Sequence, residues 1–255
     1  MRLTILGCSG SIPGPNAAAS GYLLEAEGYR LGLELGTGTF AQLQTVLDPF
    51  DLDALVLSHL HADHCADVNS LTVLRRYHPA PPYPARPRRL PLYAPAEAPS
   101  RLAHAYAADA AERAGADLSD VYEFHELREE TVQIGPFDVT AVAVYHPTPA
   151  FGLRIAYGGT ILAYTGDTGL CRGLGELADG VDVLLSEASW TDAADRPEGV
   201  HLSGKEAGEL AKEAGVGRLL LTHIAPWTDR NAVLAEARAV FPDAELVTQG
   251  AIYDL

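Results

Sequence analysis

Three imidazoles and a carboxylate fall within six consecutive positions of the stretch Ser58-His59-Leu60-His61-Ala62-Asp63-His64. On extended backbone, residues i and i+2 point to one side, so His59 and His61 can converge on one ion. A turn after them lets Asp63 and His64 reach a second ion nearby. Imidazole nitrogen and carboxylate oxygen suit zinc, with manganese or iron as alternatives. The plainer reading is a set of surface histidines at a strand end. It fits poorly, because only nine histidines occur in 255 residues and this cluster directly follows an apolar run.

Two ions need more ligands than this cluster holds. His146 follows the strand-like run 139–145, Asp167 lies in Tyr164-Thr165-Gly166-Asp167-Thr168, and His223 lies in Leu221-Thr222-His223-Ile224. Each comes just past an apolar stretch. Loops at one edge of a sheet are where residues distant in sequence meet. Singly, each is as readily a structural residue as a ligand. Together with the cluster they are enough for two ions.

The elements that must position these residues are mostly short strands. Expected strands cover 2–7, 22–25 and 29–34 (a hairpin about Gly28), 52–57, 131–134, 137–144, 151–157, 160–164, 181–185, 218–222 and 245–247. Gly158-Gly159 is a tight hairpin signal. Gly36-Thr37-Gly38-Thr39 opens a helix to Leu47, ended by Pro49. Residues 98–114 read as one alanine-rich helix. Ser203-Gly204-Lys205-Glu206 is a capping box opening a helix to Ala214, and 231–240 is a further helix. Strands followed by interspersed helices, twice over, predict two sheets packed together with helices outside.

The order His-x-His-x-Asp-His, then His146, Asp167 and His223, resembles the metallo-β-lactamase-fold hydrolases over nearly the whole chain. The resemblance implies an α/β fold, an αββα four-layer sandwich, as one domain spanning residues 1–255. It implies two divalent metal ions, with zinc preferred. One would take His59, His61 and His146, the other Asp63, His64 and His223, with Asp167 bridging. Asp63 would also orient the attacking water. Ser186-Glu187-Ala188-Ser189, then His201-Leu202-Ser203, then Leu220-Leu221-Thr222-His223 resembles the phosphodiesterase branch that includes the RNase Z type tRNA 3′-processing endonucleases. In that branch a glutamate and a histidine form a dyad beside the metals, which places Glu187 and His201 as catalytic residues. Gly7-Cys8-Ser9-Gly10-Ser11, Arg75-Arg76-Tyr77-His78-Pro79 and Glu187-Ala188-Ser189-Trp190 are similar to a bacterial subgroup linked to cyclic-nucleotide phosphodiesterase activity.

Two departures disfavour tRNA as substrate. The tRNA-processing enzymes carry a long basic arm between the third histidine and the bridging aspartate, and here only 21 positions separate His146 from Asp167. Their first loop also carries an Arg-Asn pair, where this chain reads Pro15-Asn16-Ala17. The formal net charge of −16 repels polyanions at long range. The expected substrate is a small anionic phosphodiester such as cyclic AMP. The rivals are an armless tRNA endonuclease, a lactone or thioester hydrolase of the same fold, and a metal-binding module without activity.

The remaining features bound the setting. A hydrophobic fraction of 47% with 20% charged residues excludes disorder, collagen and coiled coil as the main class. Three cysteines, Cys8, Cys65 and Cys171, are odd in number and scattered, which predicts no disulfide framework. Cys65 reads as a small buried residue. No apolar run approaches ~18 residues, and the first residues read as a strand, so a cytoplasmic protein without membrane contact is expected. A homodimer is expected by family analogy. Eight of the seventeen prolines lie between Pro79 and Pro99, among Arg75, Arg76, Arg86, Arg88, Arg89 and Arg101. This segment reads either as a rigid surface excursion or as a basic lip for an anionic ligand or a dimer contact. Trp190 and Trp227 read as packing residues or as platforms for a base.

Overall fold

In the computed structural model, which describes residues 1–193 and 195–255, strand side chains alternate between two apolar layers. Six strands come first: β1 (Arg2–Gly7), β2 (Gly21–Ala26), β3 (Tyr29–Leu33), β4 (Ala54–Val56), β5 (Leu90–Ala94) and β6 (Tyr122–Glu126). Seven more build a second sheet: β7 (Thr131–Ile134), β8 (Phe137–Ala143), β9 (Phe151–Tyr157), β10 (Thr160–Tyr164), β11 (Val183–Glu187), β12 (Arg218–Thr222) and β13 (Glu245–Leu246). The last strand, β14 (Ile252–Asp254), returns to the first sheet beside β1. The orders are β14-β1-β2-β3-β4-β5-β6 and β13-β12-β11-β10-β9-β8-β7. In each sheet an antiparallel half gives way to a parallel one, at β3–β4 and at β10–β11.

Period-two alternation explains the layering. Leu3, Ile5, Tyr22, Leu24 and Val56 of the first sheet meet Val139, Ile155, Tyr164, Leu185 and Leu220 of the second in one core between the sheets. Their neighbours Leu6, Leu23 and Leu55 point the other way. They pack under α1 (Thr39–Val46), α3 (Val68–Tyr77) and α4 (Ala98–Tyr106), with α2 (Ala62–Cys65) and α5 (Ala110–Arg113) as short turns between elements. Leu184, Leu219 and Leu221 pack on the opposite outer face under α6 (Arg172–Ala178), α7 (Gly204–Glu213) and α8 (Arg230–Val240). The layers are therefore helix, sheet, sheet, helix, as expected. No helix among the described residues is long and apolar enough to cross a membrane.

The differences from expectation have local causes. The alanine-rich helix is broken into α4 and α5, because Asp109 adopts extended backbone and its side chain accepts the N–H groups of Ala111 and Glu112. That cap starts a new helix instead of continuing the old one. Strand β5 lies inside the proline-rich stretch, where Pro91 hid it. Strands β6 and β14 and helices α3 and α6 are likewise absent from the sequence expectation. The capping box at Ser203 is present, with both of its hydrogen bonds.

The arginine-rich segment is a pinned excursion. Arg75 is 3% exposed. Its guanidinium donates to the Arg88 carbonyl at 2.9 Å and sits against the rings of Phe50 and Tyr83. Arg76 pairs with Asp120, Arg88 with Asp53 and Arg89 with Glu123. Four arginines of the segment thus serve protein carboxylates, carbonyls and rings. Replacing Arg75 with methionine is expected to cost about 1–3 kcal/mol of stability by removing charge-assisted bonds made by a buried guanidinium. Zinc binding should be unchanged. Urea unfolding alongside metal titration reads both.

Candidate metal centre

Five strand ends converge on one edge of the sandwich. β4 runs into Ser58-His59, and His61 precedes α2, whose single turn carries Asp63 and His64. His146 lies beyond β8, Asp167 beyond β10 and His223 beyond β12, while Glu187 ends β11. The edge is tied together by backbone. The Phe151 N–H donates to the Ser58 carbonyl, joining the sheets, and the Leu35 N–H donates to the His64 carbonyl. Gly36 lies flush against α2. A Cβ there would stand 1.8 Å from the Asp63 carbonyl oxygen, so only glycine permits this approach. His223 and Glu34 hold left-handed backbone, with φ of 55° and 60°. Such conformations cost of order 1–3 kcal/mol and persist where surrounding contacts enforce them.

All seven residues singled out as candidate ligands face one another in two sets. His59, His61, His146 and Asp167 form one, and Asp63, His64, Asp167 and His223 the other. In the first, His61 Nδ1 lies 3.1 Å from both His59 Nε2 and His146 Nε2, and His59 Nε2 lies 3.7 Å from Asp167 Oδ2. In the second, His64 Nε2 lies 3.3 Å from His223 Nε2 and 3.1 Å from Asp167 Oδ1. His223 Nε2 lies 3.1 Å from Asp63 Oδ2. The two oxygens of Asp167 are thus divided between the sets. The second set is buried throughout, whereas His61 is exposed and His146 half-buried, so the first set faces solvent.

These residues fit divalent cations. A tetrahedral zinc with ligands at roughly 2.0–2.1 Å sets its ligand atoms about 3.3 Å apart, close to the separations found here. The donor set is also short of protons. His146 Nδ1 donates to the Val200 carbonyl at 3.0 Å, which leaves its Nε2 as a lone pair. His61 Nδ1 faces two imidazole nitrogens and can offer one proton at most. Asp167 Oδ1 is buried without a hydrogen-bond donor. Asp63, Asp167, Glu187 and Glu34 are all buried, and among the described residues no lysine or arginine pairs with any of them. Four buried carboxylates with only imidazoles beside them, and no lysine or arginine, call for cations.

Outer contacts aim the rings. His59 Nδ1 meets Ser58 Oγ at 3.0 Å, His223 Nδ1 meets Ser189 Oγ at 2.9 Å, and His64 Nδ1 faces Glu34 Oε1 at 3.5 Å. Partners of this kind set which nitrogen is free for an ion. Burial holds His59 well below the usual imidazole pKa and His146 down to about 4, so both favour the neutral, ligating form. Burial also disfavours charge on His64, but the Asp167, Asp63 and Glu34 carboxylates outweigh it and raise its pKa.

Glu187 and His201 also come together beside the sets. Both Glu187 oxygens lie near His201 Nδ1, at 3.1 and 3.3 Å. Burial opposes charge on His201, yet Glu187, with Asp167 behind it, lifts its pKa to about 9. Trp190 packs edge-on against the His201 ring, 5.1 Å between centroids, while Trp227 is exposed. The loop carrying His201 is clamped by Arg196, which donates to Asp192, to Glu206 of α7 and to the His201 carbonyl. Cys65 is buried with its thiol against the His61 carbonyl, pushed up to about 11 by burial, and stands outside both sets.

Sequence reasoning missed Glu34, Ser58, Ser189, Arg196 and the Val200 carbonyl. Glu34 did leave a signal, a lone acid within Leu31-Gly32-Leu33-Glu34-Leu35. The Val200 carbonyl left none, since any residue supplies one.

This fold and these paired sets define a metallo-hydrolase of the metallo-β-lactamase fold, and the chain belongs to the Beta-lactamase superfamily, whose domain matches residues 35–224. It is 48% identical over 244 residues to an uncharacterised protein of Mycobacterium tuberculosis, covering 94% of this chain and 87% of that one. The crystal structure of the metallo-beta-lactamase fold protein YhfI from Bacillus subtilis superposes with a TM-score of 0.83 at 27% identity, covering 99% of this chain and 98% of that one. Ribonuclease Z of Mycolicibacterium gilvum is 30% identical over 251 residues, covering 89% of this chain and 85% of that one.

Proposed function

We propose that this protein is a dinuclear metal-dependent phosphodiesterase acting on a small phosphodiester, a cyclic nucleotide such as cyclic AMP. The observation that carries the reading is the division of Asp167 between two ligand sets, with the Glu187–His201 pair alongside. Zinc is the preferred ion at both sets, and His59, His61, His146, Asp63, His64, Asp167 and His223 are the residues that would hold the pair. Bound there, two divalent cations would supply Lewis acidity toward a phosphodiester and its attacking water.

The chain's own groups do the rest. Asp63 holds one oxygen toward His223 and His64, and its side chain is 11% exposed, so it can orient a water at the solvent side. Glu187 accepts from His201 Nδ1 and keeps the ring protonated. The other ring nitrogen can then give its proton to the leaving oxygen. In a cyclic nucleotide that oxygen stays on the ribose, and the product is a nucleoside monophosphate.

Several observations favour a small diester over tRNA. Positions between His146 and Asp167 are filled by β9, the Gly158-Gly159 turn and β10, which leaves no length for a basic arm. The net charge is −16, and most arginines of the basic segment are already engaged. Similarity to a ribonuclease Z makes precursor tRNA the proper competitor in the assay. Zinc- or manganese-loaded protein is expected to hydrolyse bis(p-nitrophenyl) phosphate and cyclic AMP, and to lose both activities on chelation. No turnover of either diester overturns the reading. Efficient cleavage of precursor tRNA with none of cyclic AMP transfers the assignment to RNA processing.

A further inference from the structure

The groups that aim the ligands and those that aim His201 are one connected set. His223 Nε2 points into the second set beside Asp63 and Asp167, and a cation held there would take its lone pair, so the ring's proton then belongs on Nδ1, 2.9 Å from Ser189 Oγ. Ser189 Oγ lies 2.9 Å from Glu187 Oε2, and that same oxygen lies 3.1 Å from His201 Nδ1. The other Glu187 oxygen accepts the N–H of Thr168, the residue after Asp167. Glu187, Ser189 and His223 are each at most 1% exposed. The Ser189 hydroxyl has a single proton and also reaches the His223 carbonyl at 3.0 Å. A carboxylate is the stronger acceptor, so the proton goes to Glu187. His223 Nδ1 and Glu187 Oε2 are 4.0 Å apart, and the serine hydroxyl lies between them, 2.9 Å from each.

We propose that Ser189 is a positioning residue that couples the Glu187–His201 pair to His223. The chain of donors runs from His223 Nδ1–H to Ser189 Oγ–H to Glu187, and His201 Nδ1–H closes on the same carboxylate. Negative charge on Glu187 is thereby felt at His223, making its Nε2 a better donor to a cation and fixing the ring plane. Partners one bond beyond the ligands typically matter 10–100-fold in metal affinity. Glu187 therefore has two jobs through two neighbours: it holds the proton on His201, and it strengthens a ligand it does not touch. This inference rests on the reading of His223 as a metal ligand.

The test uses zinc alone, titrated against a competing chelator, on the full chain. Ser189→Ala and Glu187→Gln are each expected to weaken the affected zinc site about 10–100-fold. The double variant should be no weaker than the worse single one, because both cut the same connection. Ser189→Thr keeps the hydroxyl and should restore binding, which separates the proposal from general damage to the core. Nitrogen-15 spectra of the histidine rings provide a second readout: in zinc-loaded parent His223 should carry its proton on Nδ1, and its signals should shift in Ser189→Ala. Parent-like zinc affinity in both single variants, or losses that multiply in the double, would overturn the coupling while leaving the metallohydrolase reading intact. A parent protein that binds no zinc would overturn both.

Discussion

Replacing Asp167 with alanine is expected to weaken metal binding at both sets at once. Its two oxygens face different sets, Oδ2 toward His59 at 3.7 Å and Oδ1 toward His64 at 3.1 Å. Asp167 is the one residue common to these two sets. Loss of a single terminal ligand, such as His61→Ala, should weaken one site and spare the other. Asp167→Ala should drop metal content from two ions per chain to one or none. Diester turnover should fall at least about 10³-fold, since electrostatic stabilisation of the phosphoryl oxygens is usually the largest part of such catalysis. Asp167→Asn keeps one neutral oxygen and should fall between parent and alanine. Elemental analysis of dialysed protein, alongside turnover of bis(p-nitrophenyl) phosphate, makes the measurement. Two ions retained in Asp167→Ala would show that the oxygens are not shared.

The second large effect separates binding from proton transfer. His201→Ala should keep both metals and lose about 10²–10⁴-fold in kcat, the range for removing a positioned acid. Loss of metal instead would make His201 a ligand. The pH profile gives the sign. Carboxylate neighbours raise the His201 pKa to about 9, so the ring is protonated below that value and loses its proton as pH rises through it. Bound cations oppose an imidazolium, so the alkaline limb of kcat should lie at or below about 9. In Glu187→Gln the charge that holds the proton is gone, and the limb should move to lower pH. Substrates with a good leaving group, such as p-nitrophenolate, need little help from an acid. The His201→Ala deficit should therefore be smaller for bis(p-nitrophenyl) phosphate than for cyclic AMP.

The arginine-rich segment shows how composition misleads. Six arginines among prolines look like a basic lip on an acidic protein. The folded chain buries Arg75 against Phe50 and Tyr83 and pairs Arg76, Arg88 and Arg89 with Asp120, Asp53 and Glu123, the last two pairs at the surface. Those acids come from two other parts of the chain, Asp53 and the segment 120–123, which no local window reveals. The split of the alanine-rich helix at Asp109 is a milder case. There the cap was visible, but alanine propensity on both sides masked it.

Much of the site was legible because its chemistry is rare and local. His59, His61, Asp63 and His64 stand on one short segment, and the two-residue spacing followed by a helical turn already separates them into two directions. The strands were legible because burial on both faces demands apolar runs, and turns demand glycine, as at Gly158-Gly159. What the chain order alone could not settle is which oxygens and nitrogens meet. The division of Asp167, the carbonyl of Val200 behind His146, and the serine between His223 and Glu187 depend on distances between elements up to 160 positions apart. Residue types set which groups can bind a cation or carry a proton. Only the packing of two sheets face to face decides which of them share one, because hydrogen bonds and coordination act over about 2–3 Å and sequence carries no such ruler.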